Sequence, residues 1–241
     1  SSIEGSDDIA YAIPNISVDV NWPQSPVSVL WWRSVGHTHT AYAKEHFLDQ
    51  LAMELERDPY ELRRELLSQT EGSADHSRLL GVLNLAAEKA DWGASLPAGR
   101  ARGIAVHKSF NSYVAEVAEV TVQDGGGFSV DRVVCAVDCG IAINPDVVRA
   151  QMEGGIGFGL SSILHEAVTL TEGAPDQTNF FDYPVLRMSE MPKVEVHIVP
   201  SADAPTGVGE PAVPVIGPAV ANALLAATGK TFNKLPIGLT V

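Results

Sequence analysis

The chain's 241 residues, 45% hydrophobic and 19% charged, suffice for one large globular domain or two small ones and argue against disorder. Thirty acidic residues against sixteen Lys and Arg give a formal charge of −14, which repels phosphate backbones and anionic lipid, so neither nucleic acid nor a membrane surface is an expected partner. Asn, Gly, Pro or charge interrupts every apolar run well short of the roughly eighteen residues of a membrane span, so no membrane insertion is expected.

The chain opens on Ser1 with no basic-then-apolar leader, and this start is expected to be a cleavage or cloning boundary. The stretch to about residue 30 is rich in Pro, Ser and Asn, and the alternation Ile16-Ser-Val-Asp-Val20 predicts an extended strand between turns. Phe47, Leu48, Leu51, Met53 and Leu55 recur at helical spacing and predict a helix over 40–56. Asp58-Pro59 then supplies an N-cap and a first-turn proline for a second helix carrying Leu62, Leu66 and Leu67. After a gap at 71–75, Leu79, Leu80, Val82, Leu83, Leu85 and Ala86 predict a third helix that stops near Trp92-Gly93.

Residues 99–103 read as a basic turn, after which the pattern changes to β. Residues 104–110, 113–122 and 128–137 alternate, with Gly125-Gly-Gly127 as a hairpin turn. On such an extended segment Cys135 and Cys139 lie on one face roughly 13 Å apart, too far for a disulfide. Two thiols cannot supply an iron–sulfur cluster or a Cys-rich zinc site, so any electron-transfer cluster is expected on another chain. Asn144-Pro145 ends the sheet segment and a helix follows over 147–164, with Gly154, Gly155, Gly157 and Gly159 each costing up to about 1 kcal/mol relative to Ala. So many glycines point to close approach by another backbone or a bulky ligand. Strands at 167–170 and 194–199, a loop around Asp182 and a terminal helix over 216–228 complete an α+β chain with an antiparallel or mixed sheet packed with helices. It falls into two portions, a helical 1–98 with an extended N-terminal part and an α+β 99–241.

Three segments carry candidate chemistry. Thr206-Gly-Val-Gly-Glu-Pro-Ala-Val-Pro-Val-Ile-Gly-Pro218 sets one carboxylate, Glu210, in an apolar loop stiffened by Gly209 and Pro211 ahead of a helix. That setting suits a general base, although composition alone favours a solvated turn glutamate. In Gln151-Met-Glu-Gly-Gly-Ile-Gly-Phe-Gly-Leu160, small residues let a flat ligand lie on the helix and Gln151 offers a donor and an acceptor; tight helix–sheet packing would need the same glycines. Trp31-Trp-Arg-Ser-Val-Gly-His-Thr-His39 joins aromatics, two histidines and Arg33, whose fork can clamp a phosphate or carboxylate. No third ligand lies near His37 and His39 in sequence, so a structural role is expected for them and no protein-held metal site. Trp31, Trp32 and Phe180 are candidates for substrate or core contacts.

Taken together and in this order, the three segments resemble the molybdenum-cofactor half of the xanthine oxidase and aldehyde oxidoreductase family of molybdenum hydroxylases. Gly209-Glu-Pro211 matches the loop that carries the family's essential glutamate. Gln151-Met-Glu-Gly154 matches the helix start whose glutamine contacts the pterin, and the preceding Asp138-Cys-Gly-Ile-Ala-Ile-Asn-Pro145 is similar to the family's turn there. Arg33-Ser-Val-Gly36 stands for the family's Arg-Gly-x-Gly loop, with Ser for the first glycine. The two tryptophans before it, and its short distance to the sheet region, resemble the isoquinoline oxidoreductase branch.

The resemblance covers essentially the whole chain and implies the C-terminal part of a molybdopterin-binding catalytic subunit. It implies a molybdenum cofactor, as molybdopterin or its cytosine dinucleotide, in the intact enzyme and not in this stretch alone. Glu210 would be the base, with Arg33, Gly36, Gln151, Gly154, Gly155 and Gly209 around the cofactor. An N-heterocycle or aldehyde would be oxidised with oxygen from water, and electrons would leave through a separate [2Fe–2S] subunit. The family's Gly-Gln-Gly loop has no counterpart here, so an N-terminal portion of the subunit is an expected partner. The branch implies a bacterial periplasmic location, and otherwise a cytoplasmic one. The rival reading is a scaffold or subunit-interface module that keeps the fold without cofactor.

Overall fold

A computed structural model describes residues 3–24, 27, 31–69 and 74–237. In chain order its elements are α1 (His37–Glu54), α2 (Pro59–Ser68), α3 (Ala74–Lys89), β1 (Arg100–Ser109), β2 (Ser112–Val122) and β3 (Phe128–Asp138). There follow α4 (Pro145–Leu164), β4 (Leu170–Thr171), β5 (Ala174–Pro175), β6 (Lys193–Ile198) and α5 (Val213–Thr228). Local chemistry sets several of these boundaries. Asp58 accepts the Glu61 N–H ahead of α2, and Asn144 accepts from Asp146 and Val147 ahead of α4, each followed by a proline in the first turn. α3 buries Leu79, Val82, Leu83 and Ala86, a stripe at i, i+3, i+4 and i+7, and ends at Lys89, ahead of the predicted stop.

β1, β2 and β3 form an antiparallel meander and β6 joins β3 in parallel, giving the order β1-β2-β3-β6 and making the sheet mixed, one of the two arrangements expected. Alternate residues serve opposite layers. Ala105, Val114, Ala118 and Cys135 face the core shared with α4 and α5, whereas Ile104, Val106, Val117 and Val134 face the core shared with α3. Cys135 and Cys139 are buried and unbridged. The segment read as a basic turn at 99–103 instead begins β1, because its charges are met across the sheet: Arg100 reaches Asp131 at 3.0 Å and Arg102 reaches Glu119 at 2.9 Å. Gly103 is needed inside the strand, since a Cβ there would lie 2.1 Å from Ala223 N and 2.3 Å from Ala219 O, where α5 lies backbone against backbone on β1.

α1 forms as predicted but with the opposite face inward. Phe47, Leu51, Met53 and Leu55 are exposed, while Ala41, Glu45, Leu48, Asp49 and Ala52 are buried. Polar groups occupy that inner face because their partners are supplied. Glu45 accepts from Arg63 Nε at 2.8 Å, from Tyr11 OH at 3.0 Å and from Val106 N at 3.2 Å, and Arg63 Nη1 meets Asp49 at 2.5 Å. Asn222 on α5 donates to Ile104 O at 2.9 Å and to Glu45 O at 3.3 Å, and its Oδ1 lies 2.9 Å from His46 Nδ1. Burial pushes the Asp49 carboxyl up to about 6 against the pull of Arg63.

Three other expectations change. Ile16, Val18 and Val20 are exposed and form no strand, as their alternation has no sheet face to bury against. The strand predicted over 167–170 shrinks to the two residues of β4, paired only with β5. α5 starts at Val213, three residues early, because Pro214 suits a helix's first turn.

Glu116 on β2 lies fully buried opposite Ala105 and Cys135, and both its carboxyl oxygens lack a hydrogen-bond partner. Burial pushes its pKa well above the ordinary carboxyl value, with a contact to Cys135 opposing weakly. A carboxyl whose folded pKa is raised contributes stability that is whole below its unfolded pKa, about 4.3, and that declines as pH rises toward the folded value, by up to about 1.4 kcal/mol per pH unit. Glu116→Met, of similar length, is therefore expected to raise the urea midpoint more at pH 8 than at pH 5. An equal gain at both values would show that the ionised form is not what the core resists.

Candidate functional site

Arg33, Gln151, Gly209 and Glu210, distant in sequence, meet at one place. Arg33 Nε donates to Gly209 O at 2.6 Å and Nη2 to Gln151 Oε1 at 3.3 Å, while the guanidinium sits 5.7 Å from the Phe158 ring centroid. Trp32 packs on the same phenyl ring at 4.8 Å. The Arg33 fork thus ties the two other segments together and does not stand open as a two-pronged anion clamp; only Nη1 lacks a partner among the described residues. Partial burial lowers its pKa from the ordinary value, with Glu210 opposing.

The next two residues explain how the loop turns. Ser34 (φ 76°) and Val35 (φ 48°) are consecutive left-handed non-glycine residues, each a strained conformation costing about 1–3 kcal/mol. Ser34 is held there by Glu210: its N–H donates to Glu210 Oε1 at 3.0 Å and its hydroxyl to Glu210 O at 2.5 Å. Glu210 is half-buried, and its Oε2 has no partner among the described residues. Its carbonyl also accepts from Val213 N at 3.0 Å, where α5 begins. The carboxylate is therefore held through one oxygen and its own backbone, with the other oxygen available.

The glycines of α4 divide into two groups. A Cβ on Gly155 would lie 2.9 Å from Ala212 Cβ, and one on Gly159 would lie 2.6 Å from Ile216 Cγ2 and 2.8 Å from Val213 O, so these two let α5 approach. Gly157 meets Met191 Sδ at 3.3 Å. Gly154 is exposed with nothing within 4 Å of a Cβ, and Gly209 is exposed with only Gln151 Oε1 at 3.9 Å. The open surface beside Glu210 is thus bounded by Gly154, Gln151, Gly209 and Arg33. Gly36 is buried, its N–H donating to Glu4 Oε2 at 3.1 Å, and closes the loop from the N-terminal side.

Other candidates lie apart. His37 Nδ1 pairs with His107 Nε2 at 3.0 Å, and Lys44 Nζ lies 3.1 Å from His107 Nδ1; burial lowers the pKa of both histidines, that of His107 strongly. His39 is exposed, and among the described residues no three His, Cys, Asp or Glu side chains are placed to hold a metal ion. Trp31 and Phe180 are exposed and belong to no core. Ser34, Glu4 and His107 escaped the sequence reading. Only Ser34 had a signal, a serine standing at the first glycine position of a loop.

A molybdopterin cofactor-binding domain family matches residues 74–192. The chain is 38% identical over 233 residues to the isoquinoline 1-oxidoreductase subunit beta of Brevundimonas diminuta, covering 95% of this chain and 29% of that one. It is 33% identical over 221 residues to a membrane-bound, pyrroloquinoline-quinone aldehyde dehydrogenase of Gluconacetobacter polyoxogenes, covering 86% of this chain and 29% of the relative. In fold it is similar to quinoline 2-oxidoreductase from Pseudomonas putida 86, with a TM-score of 0.75 at 13% identity over 86% of this chain and 52% of that one. The chain spans less than a third of the length of the two sequence relatives.

Proposed function

Because the chain belongs to the molybdenum hydroxylase family, we propose that it forms one wall of the molybdenum-cofactor site of a catalytic subunit and supplies its base, Glu210. The convergence of Arg33, Gln151 and Glu210 on one open glycine surface carries this reading. The residues fit such a cofactor. An amide, a guanidinium and two glycines without close neighbours suit a flat, anionic organic group that brings its own metal ligands, and a lone carboxylate beside them suits proton transfer. Molybdopterin, or its cytosine dinucleotide, would lie against Gln151, Gly154 and Gly209. When bound it supplies a redox-active metal for hydroxylating an electron-poor carbon with oxygen drawn from water.

The protein's own part is positioning and proton handling. Arg33 couples the Gln151 helix to the Glu210 loop, Gly155 lets α4 and α5 close up, Gly36 N–H ties the loop to Glu4, and Ser34 N–H fixes Glu210 Oε1. Oε2 is left to take the proton from the attacking oxygen. Portion 1–98 contributes the arginine loop, and portion 99–241 contributes the glutamine helix and the base. The names of the relatives support an N-heterocycle or an aldehyde as substrate. The rest of the catalytic subunit would close the site, a [2Fe–2S] subunit would receive the electrons, and the periplasm is the proposed location.

Metal and pterin analysis of the full-length protein tests this, with the present chain as control. Molybdenum and pterin near one per full-length chain are expected, with neither retained by the shorter one. A quinone without molybdenum would move the site to the chemistry named in the Gluconacetobacter relative, and no cofactor in either chain would leave a scaffold that keeps the fold.

A further inference from the structure

Residues 15–22 combine a strand's sequence with a loop's exposure. Ile16, Val18, Val20 and Trp22 alternate with four polar residues, and Pro14 and Pro23 bracket the stretch, which fully extended reaches about 26 Å, an ordinary strand length. A paired strand buries one side of such a pattern. Here all four apolar side chains stand in solvent, from Val20 at 38% to Trp22 at 72% exposed, and among the described residues no hydrogen bond involves 14–24. Both flanks are nevertheless anchored. Ala12 N–H donates to Leu66 O at 3.0 Å beside the buried Tyr11, and on the far side Trp32 packs on Phe158 at 4.8 Å. The stretch is thus presented between two fixed points with its pairing groups unused.

We propose that residues 15–22 are a strand that completes a sheet in the remainder of the catalytic subunit, pairing its backbone with an edge there and turning Ile16, Val18, Val20 and Trp22 onto an apolar layer. This rests on the reading, given above, of the chain as part of a longer subunit. Two relatives match 95% and 86% of this chain with 29% of their own lengths, so that reading leaves more than two thirds of the subunit to supply the edge. Position favours the same occupant. The segment leads through Trp32 into Arg33, which borders the open surface that the remainder would close, so one partner covers both. The polar side of the strand, with one carboxylate at Asp19, is left to water.

Hydrogen–deuterium exchange read by mass spectrometry on the full-length subunit and on the present chain tests the assignment. Amides of 16–22 are expected to exchange about a hundredfold more slowly in the full-length subunit, the mark of a paired strand, and at near-unstructured rates in the present chain. Val18→Asp is expected to abolish that protection and Ser17→Asp to leave it, because only the first meets the apolar layer. Fast exchange at 16–22 in the full-length subunit, or equal loss from the two variants, overturns the proposal. So does protection in the present chain that grows with its concentration, which would give the segment to a second copy. Neither readout needs cofactor or turnover. Fast exchange in a subunit that carries molybdenum therefore removes only the strand, and slow exchange in one without molybdenum removes only the functional reading.

Discussion

Glu210→Gln in the intact protein is expected to lower turnover by about 10²–10⁴-fold, the usual contribution of a positioned base, while leaving molybdenum and pterin content near that of the parent. The geometry makes this a narrow substitution. Glu210 Oε1 accepts the Ser34 N–H at 3.0 Å, and an amide oxygen at that place accepts the same bond. The backbone carbonyl that receives the Ser34 hydroxyl and Val213 N–H is untouched. The left-handed turn at Ser34-Val35 and the start of α5 should therefore survive, as should the contacts of Arg33. What changes is Oε2, replaced by an amide nitrogen with no basic lone pair. Steady-state turnover read beside metal content separates the outcomes. Activity within a few-fold of the parent would remove Glu210 from the base role, and loss of the cofactor would mark it as a structural tie.

The second large effect is on stability. Arg63→Met is expected to cost about 3–5 kcal/mol, because it strips the ion-paired guanidinium from two buried carboxylates. Arg63 and Glu45 are fully buried and Asp49 nearly so; Glu45 would keep Tyr11 and Val106 N as donors, but Asp49 would lose its charge partner. For a chain of this size that is on the order of 10 °C in Tm. The triple variant Glu45→Gln, Asp49→Asn, Arg63→Met, which removes the charges together, is expected to recover much of the loss, since an uncompensated charge costs more than an absent pair. Thermal denaturation of both proteins decides the matter. A single variant within 1 kcal/mol of the parent would mean that water reaches the carboxylates.

These two sites show how far the sequence could be read. Strands and most helix boundaries were legible because successive side chains of β1–β3 serve opposite layers and because Asp58-Pro59 and Asn144-Pro145 are local stop-and-start signals. The inner face of α1 was not legible. Periodicity picked out Phe47, Leu51 and Leu55, and nothing local announces that Arg63 lies across from Glu45 to make the polar face the buried one. The convergence of Arg33, Gln151 and Glu210 was expected from their order within a family pattern, not from spacing. The serine at the first glycine position stood out in sequence, but its left-handed turn did not, since the Glu210 contacts that hold Ser34 there come from 176 residues away. The division of labour among the α4 glycines was invisible for the same reason, as Gly155 and Gly159 differ from Gly154 only in facing α5.

The polar groups gathered around the first strand have one more effect. Its outward-pointing Val106 N–H and Ile104 carbonyl are the groups through which a sheet margin recruits a foreign strand, and they are occupied by Glu45 and Asn222. The middle of that rim is thus closed to strand pairing, and this protection is delivered by side chains from two helices.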